Sequence, residues 1–276
     1  MFMEQIGAKG RLIGLDLDDK SLAKAQERLK TAMSGDKDIC TLDLFSENFA
    51  NIGVVLKKLG ISGADLILLD LGISSYQLDT PERGFSFTHD ALLDMRMSAQ
   101  NPVDAAMVVN QYSEEKLADI FKQYGEERFA RRIAHRIAET REIKSITTTA
   151  KLADTIRGAV PGYARHGRIH PATRVFQALR IEVNRELDNL AKFLLNVPGW
   201  LNPGGRVGVI SFHSLEDRLV KRSFKENHEK GIFEIKTKKP IMAEESEQEA
   251  NPRSRSAKLR VALKVVESRK KRVESR

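Results

Sequence analysis

Short apolar runs alternate with amphipathic stretches along the first 70 residues of the chain. Short apolar runs predict strands, whereas apolar positions that recur every three or four residues predict helices. On this basis, strands are predicted at residues 11–15, 39–44 and 66–69, with helices at 21–29 and 51–59 between them. Regular alternation of this kind predicts an α/β fold built on a parallel sheet.

The run at residues 66–69 is the most informative of these strands. It has no polar alternation, which predicts a strand buried on both faces. Asp70 ends the run, and the ligands of parallel sheets bind beyond the carboxyl ends of the strands. Gly72 would let backbone come close to such a ligand. An ordinary core strand followed by a capped turn is the alternative interpretation.

Asp16 ends the first predicted strand. In nucleotide-binding sheets, an acid at the end of the second strand binds a ribose hydroxyl, about 20 residues after a glycine-rich loop on the first strand. Asp16 is only the sixteenth residue of the chain, so that loop would lie before Met1. Either Asp16 is an ordinary surface acid, or the chain lacks the first strand and its loop.

Helical periodicity replaces the strand signals in the middle of the chain. A helix predicted at residues 126–142 carries Arg128 and Arg132 on its polar faces, and a basic loop at 161–171 carries Tyr163. Arginine side chains can contact phosphates and a tyrosine ring can stack on a base, as in nucleic-acid-binding surfaces. A solvated basic face and a mobile linker are the alternatives.

One long helix is predicted at residues 172–196. It has an apolar stripe and a separate polar stripe, whose members are Arg174, Gln177, Arg180 and Asn184. Amide side chains interleaved with arginine in mid-helix indicate recognition of a ligand, and a solvated face is the alternative.

The last part of the chain returns to the strand and helix pattern. His213 and Ser214 separate a predicted strand at 206–212 from a predicted helix at 215–225, and Ser214 with Asp217 resembles a capping box. Beyond this helix, the sequence predicts a long mobile loop at 237–256, an edge strand at 258–266 and a disordered charged tail at 267–276.

Composition adds expectations about partners and location. The 276 residues carry a net charge of +8 and a sequence pI near 9.5, which favours a polyanionic partner. Cys40 is the only cysteine, so no internal disulfide can form and a reducing, cytoplasmic location is expected. No apolar run approaches the roughly 18 residues of a membrane span. We also expect no signal peptide, and the scattered histidines argue against a zinc site.

Several longer motifs follow one another in a distinctive order. They are LDLGISSYQLD at 69–79, ERGFSF at 82–87, LDMRM at 93–97, YGEERFA at 124–130, HPATRVFQALRI at 170–181, ISFHSLEDR at 210–218 and NPRSRSA at 251–257. Together they closely resemble the bacterial ribosomal RNA small-subunit methyltransferase H family, from about residue 10 to about residue 266.

The resemblance implies a fold, a reaction and a partner. Members have a class I, Rossmann-like methyltransferase sheet with a helical insert, and they use S-adenosyl-L-methionine to methylate the N4 amine of a cytidine in the decoding region of 16S ribosomal RNA. The insert would span residues 99–195, and the core residues 1–98 and 196–266. The small ribosomal subunit is then the expected partner, no membrane contact is expected, and a homodimer is left open.

The resemblance also implies roles for single residues. By motif match, Asp16 would bind the cofactor ribose and Phe49 would pack near the adenine. Asp70 and Gln77 would complete the cofactor pocket. Methyl transfer to an exocyclic amine needs in-line positioning but no metal, and a hydrogen-bond acceptor would sharpen the delocalised lone pair of that amine. The candidate acceptors are Asp70, Ser74, Ser75 and His213. RNA contacts would come from Arg128, Arg132, Tyr163, Arg174, Gln177, Arg180 and Asn184.

Two features depart from the family pattern. Members have a glycine-rich loop ending in histidine ahead of everything seen here, and Tyr76 stands where the family usually has proline. A catalytically impaired fragment, or a module that binds RNA or the ribosomal subunit, is therefore an alternative. A nicotinamide-dependent oxidoreductase also fits Asp16 and the sheet, but it leaves the later motifs unexplained.

Overall fold

The chain folds into two compact units. The computed structural model describes residues 5–7, 9–33, 40–165, 167 and 170–266. The sheet unit comprises residues 1–72 and 187–276, and the helical unit comprises residues 73–186. The tail predicted at residues 267–276 lies outside the described residues and stays a prediction.

Strands and helices are numbered in chain order over the described residues. The strands are β1 Arg11–Asp16, β2 Thr41–Ser46, β3 Ala64–Asp70, β4 Leu201–Ser211, β5 Phe233–Ile235, β6 Ile241–Met242 and β7 Lys258–Lys264. The helices are α1 Asp19–Met33, α2 Ile52–Lys58, α3 Ser75–Asp79, α4 Ala105–Gln111, α5 Glu114–Gln123, α6 Ala130–Ile143, α7 Thr149–Ala159, α8 Gly162–Arg165, α9 Ala172–Asn184, α10 Glu186–Trp200, α11 Ser214–Glu229 and α12 Glu245–Ala250.

The strands form two sheets in the sheet unit. β1 pairs with β2 in parallel, and the second sheet has the order β3–β4–β7–β5, with β6 also paired to β7. β3 and β4 are parallel, whereas β7 runs antiparallel to its partners. The predicted α/β architecture is confirmed. The edge strand predicted at residues 258–266 is wrong, because β7 pairs with β4 along one edge and with β5 and β6 along the other.

The strand β3 is covered on one face only. Ile67 and Leu69 are 6% and 7% exposed and pack with apolar residues of α10 and α11, whereas Leu66 and Leu68 are 56% and 47% exposed. The prediction of a strand buried on both faces is therefore wrong. The apolar run reflects β-propensity as well as burial, so it did not distinguish one covered face from two.

The segment predicted as a long loop at residues 237–256 is largely structured. It contains β6, α12 and a 3₁₀ turn over Pro252–Ser256. The turn is stabilised from within, since Ser254 is 5% exposed and its hydroxyl donates to the Asn251 carbonyl oxygen at 2.8 Å. Low apolar content concealed these elements because they depend on local hydrogen bonds more than on a buried apolar face.

The helical unit has its own apolar core, to which the packed faces of its helices contribute. Phe121, Ile133, Leu152 and Leu179 are among its fully buried side chains. Side-chain caps mark where helices begin: the Ser113 hydroxyl accepts a hydrogen bond from the Lys116 N–H at the start of α5. The predicted helical character of this region is thus confirmed.

Two helices, α9 and α10, replace the single helix predicted at residues 172–196. Arg185 separates them with a left-handed backbone, at φ 50°. Val183 packs in the core of the helical unit, whereas Leu190 packs in the core of the sheet unit. The helix break at Arg185 thus falls between residues that pack in different cores.

The same packing places the unit boundaries differently from the expected insert at residues 99–195. Leu93 and Met95 are at most 1% exposed in the core of the helical unit, which therefore begins before residue 99. Among the described residues, no helix is both long and apolar enough to cross a membrane.

Candidate functional site

Asp70 and His213 lie at the carboxyl ends of two neighbouring parallel strands. Asp70 ends β3 opposite Ile210 of β4, and the Leu71 N–H donates to the Ile210 carbonyl oxygen at 3.0 Å. His213 follows β4 by two residues. Because the carboxyl ends of parallel strands meet at one edge of a sheet, the two residues belong to the edge at which such sheets bind ligands.

His213 is the N-cap of α11. Its Nδ1 atom accepts a long hydrogen bond of 3.5 Å from the Glu216 N–H, and Glu216 Oε2 accepts from the N–H groups of Phe212 at 2.8 Å and His213 at 3.3 Å. The capping box predicted for Ser214 and Asp217 is therefore wrong by one residue. His213 has the extended backbone of an N-cap, at φ −135° and ψ 166°, and Glu216 has the same three-residue spacing from it.

The other ring nitrogen of His213 is held near a buried carboxylate. His213 Nε2 lies 3.2 Å from Glu216 Oε1, and the two side chains are 10% and 2% exposed. The two atoms are close without being aligned for a hydrogen bond, and among the described residues Nε2 has no hydrogen-bond partner. The ring is fixed by its cap, and Nε2 is a buried polar atom beside the Glu216 carboxylate.

The Asp70 side chain is exposed at the end of β3, and its carboxyl accepts no hydrogen bond from any described residue. Burial by the surrounding protein raises the pKa of Asp70, and the negative charge of Glu216 raises this pKa further. Part of the carboxyl therefore reaches solvent while the remainder is desolvated. A carboxyl in this state is a strong acceptor once deprotonated, and a ligand that donates a proton or carries positive charge would stabilise it.

We expect Glu216→Gln to lower the pKa of Asp70, because the substitution removes the second cause of its upward shift. The raised pKa means that the folded state holds this proton more tightly than the unfolded chain does. Its contribution to stability is thus lost as pH rises from the ordinary aspartate pKa through the raised one. Carboxyl ¹³C NMR of Asp70 against pH measures the shift, and Glu226→Gln on the exposed face of α11 is the control. An unchanged Asp70 midpoint in Glu216→Gln would mean that burial alone sets the pKa.

Asp16 and Phe49 follow the two strands of the smaller sheet. Asp16 ends β1 opposite Ser46 of β2, and its Oδ1 accepts from the Asp18 N–H at 2.8 Å where α1 begins. Phe49 is half-buried and contacts Phe193 edge to face, with ring centroids 5.9 Å apart. These residues lie at the carboxyl ends of β1 and β2, and their contacts with a ribose and an adenine stay predictions.

Ser74, Ser75 and Gln77 lie in the helical unit, at the start of α3. Ser74 and Gln77 form a capping box: the Ser74 hydroxyl accepts from the Gln77 N–H at 3.1 Å, and Gln77 Oε1 accepts from the Ser74 N–H at 3.0 Å. Gln77 is 4% exposed, whereas Ser75 is exposed. The structure thus gives Ser74 and Gln77 a local structural task, to define the turn that starts α3.

A group of exposed cations surrounds the start of α6. Its members are Lys122, Arg128, Arg131, Arg132 and Arg174, and residues 122 and 126–132 line an open depression of about 550 Å³. Lys122, Arg131 and Arg132 form no ion pair with any described residue. Further along α6, His135 and Arg136 instead pair with acidic side chains. We call the five exposed cations Lys122, Arg128, Arg131, Arg132 and Arg174 the basic face.

The polar stripe of α9 points into the helical unit more than was expected. Gln177 donates to the Tyr124 carbonyl oxygen at 2.9 Å, and Arg180 pairs with both carboxylate oxygens of Glu186 at 2.8 and 2.9 Å. Asn184 Nδ2 donates to the Met95 carbonyl oxygen, and its Oδ1 accepts from the Met97 N–H, both at 2.8 Å. These three side chains make contacts within the helical unit, whereas the sequence predicted either ligand recognition or a solvated face.

Sequence reasoning missed Glu216 as part of the site. Its carboxylate supports the His213 cap and acts on the Asp70 pKa. The signal was present, because a glutamate three residues after an N-cap is the pattern of a capping box. Histidine is not among the favoured N-cap residues, which drew the prediction to Ser214 instead.

Comparisons with known proteins agree along nearly the whole chain. The model of the MraW methylase family matches residues 1–265. The chain is 49% identical to "Ribosomal RNA small subunit methyltransferase H" of Trichodesmium erythraeum, over 92% of this chain and 84% of that protein. It is 49% identical to the protein of the same name in Synechocystis, over 95% and 82%, and 48% identical to that of Syntrophotalea carbinolica, over 94% and 86%. The α/β sheet is consistent with the class I methyltransferase fold. These similarities show that the chain belongs to the MraW methylase family.

Proposed function

We propose that this protein transfers a methyl group from S-adenosyl-L-methionine to the N4 amine of a cytidine in the decoding region of 16S ribosomal RNA. The observation that carries the proposal is the identity of 48–49%, over at least 92% of the chain, to proteins named as small-subunit ribosomal RNA methyltransferases. The arrangement of Asp70, His213 and Glu216 supports the same chemistry.

The carboxylates and the aromatic ring at the strand ends of the sheet unit have the chemistry that this cofactor needs. A ribose diol needs hydrogen-bond acceptors, and the Asp16 carboxylate lies at the end of β1. The half-buried ring of Phe49 offers apolar surface to an adenine, and the Asp70 carboxylate complements a positively charged group. Gly72 has a φ of 91°, a backbone conformation that residues with a Cβ rarely adopt, so a glycine allows the tight turn after β3.

Asp70 is the proposed acceptor at the reacting amine. When bound, S-adenosyl-L-methionine supplies an electrophilic methyl group on a sulfonium. An exocyclic cytosine amine shares its lone pair with the ring, so a hydrogen bond from the amine to Asp70 makes that lone pair more available. The raised pKa of Asp70 also suits it to receive the proton that the amine loses after methylation.

His213 and Glu216 are proposed to position the RNA substrate at the carboxyl edge of β3 and β4. Glu216 holds the turn between β4 and α11 by accepting two backbone hydrogen bonds, and the turn fixes the His213 ring. His213 Nε2, a buried atom without a hydrogen-bond partner among the described residues, is the proposed contact for the base or its ribose. Ser75, whose hydroxyl is exposed, is retained as a further candidate contact, whereas Ser74 and Gln77 act by defining the turn before α3.

The basic face is the proposed RNA-contacting surface. Its cations are exposed on one side of the helical unit, and Arg128 lies over the rings of Phe129 and Tyr163 at 4.5 and 5.4 Å. Cations supply affinity through phosphates, and aromatic rings supply stacking surface for bases. Gln177, Arg180 and Asn184 are assigned a supporting role, because their side chains are committed to contacts inside the unit.

The test is methyl transfer to small ribosomal subunits that lack this modification. We would incubate the full chain with labelled S-adenosyl-L-methionine and such subunits, then locate the methyl group by nuclease digestion and mass spectrometry. N4-methylcytidine at one position in the decoding region supports the proposal. A methyl group on another atom or nucleotide would contradict it, and binding without transfer would favour the alternative of an RNA-binding module.

Salt dependence tests the basic face separately. We expect RNA affinity to fall steeply with salt, and Arg132→Gln to reduce the slope of log affinity against log salt by about 0.7–1, because one phosphate contact is lost. Fluorescence anisotropy of a labelled decoding-region RNA at several salt concentrations measures this slope. Lys225→Gln in the sheet unit removes the same charge from a residue already paired with Glu229, and it should leave the slope unchanged. Equal slopes in the wild type and Arg132→Gln would remove Arg132 from the interface.

A further inference from the structure

A small pocket beside the basic face has the features of a base-binding site. It has a volume of about 260 Å³ and is lined by Glu127, Arg128, Phe129, Tyr163, His170 and Arg174 among others. Pockets for drug-sized ligands are typically about 300–1,000 Å³. This pocket therefore suits a group about the size of one nucleoside.

Aromatic and cationic groups form one wall of the pocket. The rings of Phe129 and Tyr163 meet edge to face with centroids 6.4 Å apart, and the Arg128 guanidinium lies over both. Tyr163 is nevertheless 73% exposed, so one face of its ring is open. An exposed aromatic ring held by its neighbours is the surface on which unstacked bases of single-stranded RNA stack.

Glu127 brings a buried carboxylate into this basic surrounding. It is 8% exposed, and its Oε1 accepts a hydrogen bond from the Phe129 N–H at 2.8 Å. From the described residues, its carboxylate receives no other hydrogen bond. A carboxylate that lines a base-sized pocket can accept from an exocyclic amine, which is how acidic side chains recognise the N4 amine of cytosine.

His170 adds a neutral donor to the pocket lining. Its Nδ1 atom accepts from the Ala172 N–H at 3.1 Å, which leaves the ring proton on Nε2. Burial lowers the pKa of His170, the charge of Arg157 lowers it further, and the ring stacks against Phe87 at 4.7 Å. The pocket thus offers an acceptor and a neutral donor in addition to its aromatic wall.

Arg174 lines the pocket with most of its donors available. One of its N–H groups donates to the Glu126 carbonyl oxygen at 3.2 Å, which anchors the guanidinium. The side chain is otherwise exposed. A guanidinium anchored on one side and open on the other is suited to bind phosphate.

We infer that this pocket binds one unstacked nucleotide of the RNA substrate that carries an amino group on its base. The base stacks on Tyr163, its amine donates to Glu127, and its phosphate lies at Arg128 and Arg174. The inference rests on the proposed RNA substrate. None of the residues proposed for methyl transfer lines this pocket, so the nucleotide is an anchor rather than the methylated one.

The experiment titrates the full chain with cytidine, adenosine or uridine 5′-monophosphate and follows the ring signals of its four tyrosines by NMR. We expect saturable shifts of the Tyr163 signal, while Tyr76, Tyr112 and Tyr124 serve as internal controls. Uridine monophosphate should bind about tenfold more weakly or worse, because its O4 is an acceptor where the amine is needed. Glu127→Gln should reduce this preference.

Variants then separate stacking from charge. Tyr163→Ala should weaken binding of a single-stranded RNA by about 5- to 150-fold, the range that stacking of one base contributes. It should leave the salt slope unchanged because no charge is lost, whereas Tyr163→Phe keeps the ring and should retain the affinity. Leu92→Ala, at another exposed apolar position of the helical unit, is the matched control.

The outcomes distinguish this inference from the proposed function. No saturable shift at Tyr163, or equal RNA affinity of Tyr163→Ala and the wild type, would overturn the pocket, even if methyl transfer to the small subunit is intact. Saturable binding with the expected base preference supports it. Nucleotide binding by a chain that does not methylate would instead contradict the proposed reaction alone.

Discussion

Replacing Asp70 by asparagine is expected to lower the rate of methyl transfer by about 10²–10⁴-fold, the usual contribution of a positioned acid or base. Asparagine keeps the size of the side chain, but it accepts hydrogen bonds more weakly and cannot take up the proton of the amine. Asp70 ends β3 without a hydrogen bond from any described residue, so removal of its charge breaks no internal contact. Initial rates at saturating cofactor and RNA measure the effect.

The same strand supplies a matched control. Asp65 lies near the start of β3, where its carboxylate accepts from Asn202 at 2.8 Å, far along the strand from the carboxyl edge. Asp65→Asn should transfer methyl groups at the wild-type rate. The affinity of Asp70→Asn for S-adenosyl-L-methionine, measured by calorimetry, separates a role in binding the cofactor from a role at the amine. Wild-type turnover in Asp70→Asn would exclude Asp70 from the reaction.

Asp217→Asn is expected to destabilise the sheet unit by about 3–5 kcal/mol, the usual cost of leaving one buried charge unpaired. Asp217 on α11 accepts two hydrogen bonds from the Arg260 guanidinium of β7, at 2.7 and 3.1 Å. The side chains are 17% and 8% exposed, so solvent would not replace the lost partner. Denaturant unfolding followed by the fluorescence of Trp200, the only tryptophan and a residue of the sheet unit, measures the change.

The pH dependence of stability gives a second readout of this ion pair. Burial alone would raise the pKa of Asp217, but the hydrogen bond and charge of Arg260 outweigh it and hold the pKa below its ordinary value. A lowered pKa contributes stability that is present above the unfolded pKa and is lost as pH falls through the folded one. The stability difference between the wild type and Asp217→Asn should therefore shrink upon acidification below the ordinary aspartate pKa.

Two further variants make this prediction specific. Asp154 pairs with Arg157 on the surface of α7, with the two side chains 64% and 56% exposed, so Asp154→Asn should change the free energy of unfolding by no more than about 0.5 kcal/mol. The double variant Asp217→Leu with Arg260→Met removes both charges and should recover most of the lost stability. Equal stability of Asp217→Asn and Asp154→Asn would show that the buried pair contributes little.

The structure changes how two kinds of polar residue are interpreted. Arg260 lies in an alternating stretch that reads as an exposed edge, yet it is 7% exposed because its charge is matched by Asp217 from a helix 43 residues earlier. The sequence predicts that Asn184 and Gln177 recognise a ligand. Their side chains instead donate hydrogen bonds to backbone carbonyl oxygens far away in the chain. Sequence patterns describe how polar a position is, but the partner that makes its burial favourable comes from elsewhere in the chain.

The sequence by itself determined the α/β class, the strand that ends in Asp70, the helical middle of the chain and the family, because apolar periodicity and long ordered motifs are local properties. Tertiary structure alone decided that β7 is an inner strand, that the helix after His170 breaks at Arg185, and that Glu216 acts on Asp70. It also decided that Arg128 and Arg174 line a pocket with Tyr163, whereas Arg180 forms an ion pair with Glu186. The physical reason is that strand order, ion pairing and desolvation depend on groups far apart in the chain, whose meeting no local pattern encodes.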